Sequence, residues 1–382
     1  MCGLTGIWDL NKKTTKGDLK SQCSAMTQIL NHRGPDNQKI WQSESESICI
    51  GFRRLSIIDL SKNGNQPMQT NDGRFCVVFN GEIYNYKDLR KELETEGAIF
   101  FSNSDSEVLK EAFSYWGIER TVSKLNGMFA IAVWDKKNKS IFLIRDRLGI
   151  KPLYWFYDKN LIAFASELKS FKKLNNINLE IDRESLEKYL IFGNVPAPFT
   201  IFKNTMKLKP GTIIEINSEG RIKEKRFWDL FSIISTKQNN YSFSSERLEE
   251  LILNSVKLRL VSDVPVGAFL SSGIDSSLIV SMMQKISSKP IKTYTIGFDE
   301  DGFDESKEAQ KISSFLKTEH SEFFINKKIL KETFSNLGEI WDEPFADFSQ
   351  IPTYLVSKLS KKDVTVVLTG YGGDELFYGY ER

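Results

Sequence analysis

The chain has 382 residues, 40% of them hydrophobic and 27% charged, a size and composition that favour two soluble domains at ~100–200 residues each. Its 52 Lys and Arg against 50 Asp and Glu leave a net charge of +2, which gives no basis for a nucleic-acid or membrane surface. Four widely spaced cysteines, two histidines, no apolar run near the ~20 residues of a membrane helix and no basic-then-apolar leader argue against a zinc site, a transmembrane anchor and a signal peptide, and for a reduced, cytoplasmic setting.

In chain order, the first notable position is Cys2, directly behind the methionine of "MCGLTGIW". A methionine before a small residue is commonly trimmed. The thiol would then share its residue with a free α-amine of reference pKa ~7.7–8.0, a base able to take the thiol proton. Taken alone, Cys2 reads more readily as merely a small residue. "NHRGPD" holds a rigid Gly-Pro turn after a helix. β-Branched and aromatic content predicts strands in "SICIGFRRLSIIDL" and "RFCVVFNGEIYN". The first puts Arg53 and Arg54 at a strand start, where Arg54 on the plain reading is a surface ion pair. The second puts Asn80-Gly81 after an apolar strand. That dipeptide is either a hairpin turn or an oxyanion hole built from an amide side chain and a glycine N–H. "SEVLKEAFSYWG" reads as a helix with Val108, Leu109, Ala112, Phe113 and Trp116 on one face. It opens with a capping box of Ser104 and Glu107, and Asp105 sits in the first turn, where a carboxylate complements the helix dipole.

Further strands are expected in "GMFAIAVWD", "SIFLIRD", "PLYWFY" and "LIAFAS", and a closing hairpin in "KLKPGTIIEINSEGRIKEKRFWDL" turning at "SEG". "FSIISTKQNNYSFSS" reads as a linker, so the domains are placed at residues 2–230 and 241–382. After the linker, helical "ERLEELILNSVKLRL", "SSLIVSMMQKI", "SKEAQKISSFL" and "IPTYLVSKLSK" alternate with strand-like "VPVGAFL", "KTYTIGF", "HSEFFI" and "DVTVVLTG". That alternation predicts a doubly wound parallel α/β sheet. Within it, "VGAFLSSGIDSSLIV" is a strand, a small-residue loop and a helix start. Ser271, Ser272 and Gly273 would let backbone approach a pyrophosphate, and Asp275 suits Mg²⁺; a Ser-capped helix after a tight turn reads equally well. "VVLTGYGGDELFYGY" repeats the strand-then-loop pattern, with Asp374 either a second metal carboxylate or part of an acidic, glycine-rich turn.

As an ordered set, "MCG", "HRGPD", "RRLSIID", "NGEIYN" and "SDSEV" resemble the class II glutamine amidotransferase domain over roughly residues 2–230, and "NGMFAIAVWD" and "RDRLGIKPLYW" continue the likeness. The resemblance implies an N-terminal-nucleophile αββα sandwich that hydrolyses glutamine through a glutamyl thioester on Cys2. It assigns the oxyanion to Asn80 and Gly81, the substrate α-carboxylate to Arg54 and the α-ammonium to Asp105. Glu82 and the backbone of Leu55, Ser56, Ile57 and Ile58 would line the pocket. Phe52 stands where the family usually shows histidine, outside the direct substrate set.

"LSSGIDSS" and "LTGYGGDELFYGY", with "DEPFADFSQIPTYLVSKL" between them, resemble the synthetase domain of glutamine-hydrolysing asparagine synthetases. That likeness implies ATP and Mg²⁺, with Leu270, Ser271, Gly273, Asp275 and Ser276 at the phosphates and metal, and Asp374 a further ligand. Ile296 would touch adenine, and Thr369 and Gly370 would lie along the ribose and phosphate. It also implies adenylation of the aspartate β-carboxylate, attack by ammonia from the first domain, and a homodimer. Three departures stand out. Ser272 replaces the usual second glycine. Tyr371 replaces an acidic residue of the asparagine-forming members, which keeps another acceptor, such as a sugar acid, open. The chain ends at Arg382, short of the family's usual length and without an assignable phosphate-stabilising lysine, which keeps a non-catalytic nucleotide-binding module open.

Overall fold

The computed structural model of the protein describes residues 1–175, 177–236, 244–298 and 304–379. Two units emerge, Met1–Gln238 with Trp341–Ala346, and Asn239–Ile340 with Asp347–Arg382. In chain order the first unit runs β1 (Gly3–Asp9), α1 (Lys16–Gln28), β2 (Asn37–Gln42), β3 (Ile48–Arg54), β4 (Met68–Gln69), β5 (Phe75–Ile83), α2 (Tyr86–Thr95) and α3 (Asp105–Lys124). It continues with β6 (Gly127–Asp135), β7 (Ser140–Arg145), β8 (Tyr154–Tyr157), β9 (Leu161–Ala165), α4 (Arg183–Phe192), β10 (Thr205–Lys207), β11 (Thr212–Asn217), β12 (Ile222–Arg226) and α5 (Leu230–Thr236).

These strands form two six-stranded antiparallel sheets, ordered β10-β8-β9-β1-β3-β2 and β12-β11-β7-β6-β5-β4. Alternate residues explain the layering, because each strand presents one side chain set to each face. Leu4, Trp8, Ile50 and Phe52 of one sheet meet Val78, Ala132, Trp134 and Leu143 of the other in a shared core. Trp8 and Trp134 cross there edge to face at 4.9 Å. The opposite parity of the first sheet (Ile7, Cys49, Ala163) buries Leu19, Cys23 and Met26 of α1. α3 covers the second sheet at β5 through buried Val108, Leu109 and Phe113. The result is the αββα sandwich expected from the resemblance.

The second unit contains α6 (Ser245–Arg259), β13 (Val266–Phe269), α7 (Ile274–Ile286), β14 (Lys292–Phe298), α8 (Ser306–Leu316), β15 (Glu319–Ile325), α9 (Lys327–Ser335), α10 (Leu337–Ile340), α11 (Gln350–Ser360), β16 (Val366–Leu368) and α12 (Gly373–Phe377). Its four strands are all parallel, in the order β15-β14-β13-β16. One face buries Val256, Val280 and Met283 of α6 and α7 with Ala309 of α8; the other packs Tyr294, Ile296 and Val367 against Val356 and Leu359 of α11. Helices on both faces are the doubly wound arrangement.

Several local expectations need correction. The predicted strand through "LSIIDL" stops at Arg54, so Arg53 and Arg54 close a strand and do not open one. The reason is that Leu55 spends its N–H on the Cys2 sulfur, at 3.4 Å, and not on a neighbouring strand. Asn80-Gly81 is no hairpin turn: both lie inside β5, opposite Ala130 and Phe129 of β6. The capping box forms by half. Ser104 accepts the Glu107 N–H, but the Glu107 carboxylate turns to the N–H groups of Phe101 and Ser102. The expected linker begins as helix α5; its middle, 237–243, lies outside the described residues.

The segment Trp341–Ala346 belongs to the first unit although it follows α10 in the chain. Asp342 accepts the Lys169 N–H at 3.0 Å and lies 3.3 Å from the Lys169 ammonium. Glu343 accepts the Ile201 N–H at 2.7 Å and pairs with Lys207 at 2.7 Å.

Candidate active site

In the first unit, β1 begins one residue after Cys2, and the turn behind α1 anchors that start. Arg33 Nε donates to the Cys2 carbonyl at 2.8 Å, and the same guanidinium pairs with Glu167 at 2.8 Å. Gly34 makes the approach possible, since a Cβ there would fall 2.4 Å from the Arg53 backbone carbon. Cys2 opens into a cavity that Arg54, Leu55, Ile57 and Ile58 line from the β3 end, Asn80, Gly81 and Glu82 from β5, and Asp105 from α3. Every predicted glutamine-site residue except Ser56 is on this wall. Ser56 instead gives its N–H to Asp36 at 2.7 Å. Phe52 is buried in the inter-sheet core and is not part of the cavity wall.

The strand parity of β5 explains the Asn-Gly pair. Phe79 N–H is taken by the Gln66 side chain at 2.6 Å and Ile83 N–H by Asp105 at 3.0 Å. Backbone groups two apart point the same way, so Gly81 N–H lies on that same edge, between them and facing the cavity. A Cβ at Gly81 would come within 2.0 Å of the Met128 carbonyl oxygen, which excludes any side chain. Asn80 is 1% exposed, and among the described residues its Nδ2 has no hydrogen-bond partner. A buried amide donor left unpaired costs about 1–3 kcal/mol and points to a bound acceptor. Arg54 is buried and aimed by the carbonyls of Ser61, at 2.6 Å, and Asp59, and by Asn65 at 2.9 Å. Gly64 leaves room for it, since a Cβ there would sit 2.1 Å from Arg54 Nη2.

Two ionisable groups are set by burial. The Cys2 thiol is pushed up by burial, against the pull of the Leu55 N–H, the terminal amine and Arg33. Such a thiol is a poor nucleophile until a base takes its proton. Asp105 is pushed up by burial to about 6, despite the N–H bonds it accepts. The folded chain therefore holds this proton more tightly than the unfolded chain, and stability is lost as pH rises from about 4 through 6. Asp105→Asn keeps the Ile83 acceptor, and we expect it to stabilise the protein at pH 7 by about 2–3 kcal/mol. The gain in Tm over the parent should vanish in melts at pH 4, while the KM for glutamine rises at every pH.

Sequence reading missed Arg33, Glu167, Asp146 and Lys151. Arg33, Asp146 and Lys151 lie inside quoted motifs, but only the fold sets them around Cys2. Glu167 is held well below the ordinary glutamate range because bonds and charge from His32 and Arg33 outweigh its burial.

The second unit carries a separate cavity of about 800 Å³. In the order β15-β14-β13-β16, the chain leaves β13 to one side first and returns to the other last. The crevice beside β13 and β16 is thus the switch point where open parallel sheets bind ligands, beyond the strand C-termini. Both predicted loops flank it. Leu270, Ser271, Gly273, Asp275, Ser276, Ile296, Thr369, Gly370 and Asp374 all line the cavity. The first loop is pinned by a Ser271–Ser276 hydroxyl bond of 2.8 Å. The loops touch backbone to backbone, because a Cβ at Gly370 would lie 2.7 Å from Ser276 N. Gly373 likewise accommodates the Asp275 carboxylate, 2.1 Å from where a Cβ would be. Ser272 does not crowd the cavity: its hydroxyl donates to Glu305 at 2.7 Å. Tyr371 lines the cavity, its hydroxyl 3.0 Å from that of Thr353. Among the described residues no cluster of three or more His, Cys, Asp or Glu is arranged for a metal, and no helix is long and apolar enough to cross a membrane.

Comparison with known proteins agrees with this division. Residues 1–228 match the glutamine amidotransferase domain family and residues 247–382 the asparagine synthase family. Asparagine synthetase [glutamine-hydrolyzing] 1 of Bacillus subtilis is 40% identical over all of this chain and 59% of its own length. A provisionally named asparagine synthetase [glutamine-hydrolyzing] 2 of Methanocaldococcus jannaschii is 37% identical over all of this chain and 76% of its own. The chain thus spans about three fifths to three quarters of the length of these relatives. The solved B. subtilis glutamine phosphoribosylpyrophosphate amidotransferase is 18% identical, with a TM-score of 0.44 over 87% of this chain and 70% of that one, too slight a likeness to argue from. On the two family matches and the identity along its whole length, the chain belongs to the glutamine-hydrolysing asparagine synthetase family.

Proposed function

We propose that the protein hydrolyses glutamine at Cys2 and uses the ammonia to amidate the ATP-activated β-carboxylate of aspartate. The observation that carries the first half is the buried, unpartnered Asn80 amide beside the Cys2 thiol. With Met1 removed, the Cys2 α-amine takes the thiol proton and the sulfur attacks the side-chain amide carbon. The oxygen that becomes anionic is met by Asn80 Nδ2–H and Gly81 N–H. The C–N bond then breaks, and ammonia leaves with the proton returned from the α-ammonium. Water, deprotonated by the same amine, cleaves the thioester to glutamate. Arg54 presents a guanidinium fork to the substrate α-carboxylate, and Asp105 meets its α-ammonium.

In the second unit the small-residue loop Leu270–Gly273 and the start of α7 offer N–H groups to phosphate. A carboxylate oxygen of the acceptor attacks the α-phosphorus, pyrophosphate leaves, and ammonia displaces AMP from the acyl adenylate. Asp275 and Asp374 fit a magnesium ion, which takes one or two carboxylates plus phosphate oxygens and, when bound, offsets the charge on the phosphates. The names of the relatives support aspartate as the acceptor.

The test is mass spectrometry of products from glutamine, MgATP and aspartate. Expected are asparagine, glutamate, AMP and pyrophosphate in equal amounts. Glutamate without any amidated product would sink the synthetase half, and amidation of a uronic acid in place of aspartate would overturn the acceptor.

A further inference from the structure

Lys151 is a lysine only 7% exposed, in the wall of the Cys2 cavity. Its backbone is fixed. Asp146 accepts its N–H at 3.0 Å, Arg145 Nε donates to its carbonyl at 2.9 Å, and Asp146 also holds the N–H groups of Leu148 and Ile150. The side chain is thereby aimed inward. Its ammonium makes one hydrogen bond among the described residues, to the Met1 sulfur at 3.3 Å, a weak acceptor. That partner is the residue whose removal creates the proposed nucleophile.

We infer that Lys151 is a positioning residue of the Cys2 centre, whose buried ammonium keeps the newly freed Cys2 α-amine neutral and so able to act as base. This rests on the reading that Cys2 becomes the first residue. Two cations in one desolvated cavity disfavour each other, and the group with the lower intrinsic pKa yields its proton first. The α-amine, at ~7.7–8.0, yields before a lysine at ~10.4. The charged groups around the pair favour that division. Burial lowers the Lys151 pKa from the ordinary lysine value, and Glu82 on β5, Cys2 and Asp146 offset part of that shift. Arg33, from the turn behind α1, bears on both Cys2 and Lys151 with the same sign as the lysine, and Asp105 on α3 opposes it at Cys2. Neutralising Lys151 removes a positive charge from the Cys2 cavity, which raises the pKa of amine and thiol alike.

The test compares the full chain with Lys151→Met, Lys151→Gln and Lys151→Arg, each checked for folding by thermal melting. Two readouts are followed against pH: kcat/KM for glutamine hydrolysis, and the rate of Cys2 alkylation by iodoacetamide, mapped by peptide mass. Cys23, Cys49 and Cys76 are at most 1% exposed and should stay unlabelled. The neutral variants should shift the acid limb of both profiles upward by about one pH unit, as loss of a nearby charge does, and Lys151→Arg should restore it. Unshifted midpoints in a folded neutral variant would overturn the proposal, even with activity reduced at all pH values. Absence of glutamine hydrolysis in the parent defeats the functional reading alone, because the alkylation profile still decides the role of Lys151.

Discussion

Cys2→Ala is expected to lower glutamine hydrolysis on the order of 10⁶-fold, the scale on which loss of a catalytic nucleophile acts. Nothing else near the cavity can replace it: Cys23, Cys49 and Cys76 are buried in the sandwich cores. Amidation fed directly with ammonium salts should persist at the parent rate, because the nucleotide loops lie in the other unit. The substitution is small, and Cys2 precedes β1, so the β1 register with β3 from Gly3–Arg53 onward is preserved. Equal loss of the glutamine-fed and ammonia-fed reactions would count against two separate centres. An intact mass showing Met1 retained in the active protein would remove the base on which the scheme depends.

The second large effect is expected at Asp275. Asp275→Asn should abolish ATP–pyrophosphate exchange, by at least about 10²–10³-fold given what one preorganised electrostatic group contributes. Glutamine hydrolysis should be unchanged. The variant is isosteric, so the close packing of this side chain on Gly373 survives while the charge is lost. Exchange is the informative readout because it reports carboxylate activation without the ammonia step. Undiminished exchange would refute the assignment of the phosphate loops.

Much of this was legible because local physics and global fold agree. β6 occupies the residues that β-branched and aromatic content single out, and β14 and α8 fall on the strand-like and helical segments read in the second half. All but one of the predicted glutamine-site residues, and all the predicted nucleotide-site residues, share a wall with their partners. What was illegible depended on partners distant in sequence. Arg54 looked like a strand start because "LSIIDL" is as apolar as a strand, and only the sulfur 53 residues earlier ends the ladder there. Asn80-Gly81 has turn chemistry, but nine residues of β6 pair across it and override that preference. The Arg33–Glu167 pair spans 134 residues and leaves no periodic trace. Ser272 read only as a departure from the usual glycine, since nothing local shows that Glu305 draws its hydroxyl aside.

The hold of Trp341–Ala346 on the first unit has a consequence for modularity. Asp342 and Glu343 satisfy two backbone N–H groups and two ammonium groups of residues 169–207. Excising the amidotransferase at its sequence boundary would strand those donors, leave Lys207 without its counter-charge and leave Lys169 with Glu167 alone. A graft of this half onto another protein must therefore carry a six-residue peptide borrowed from the half it leaves behind, so the two are not interchangeable cassettes.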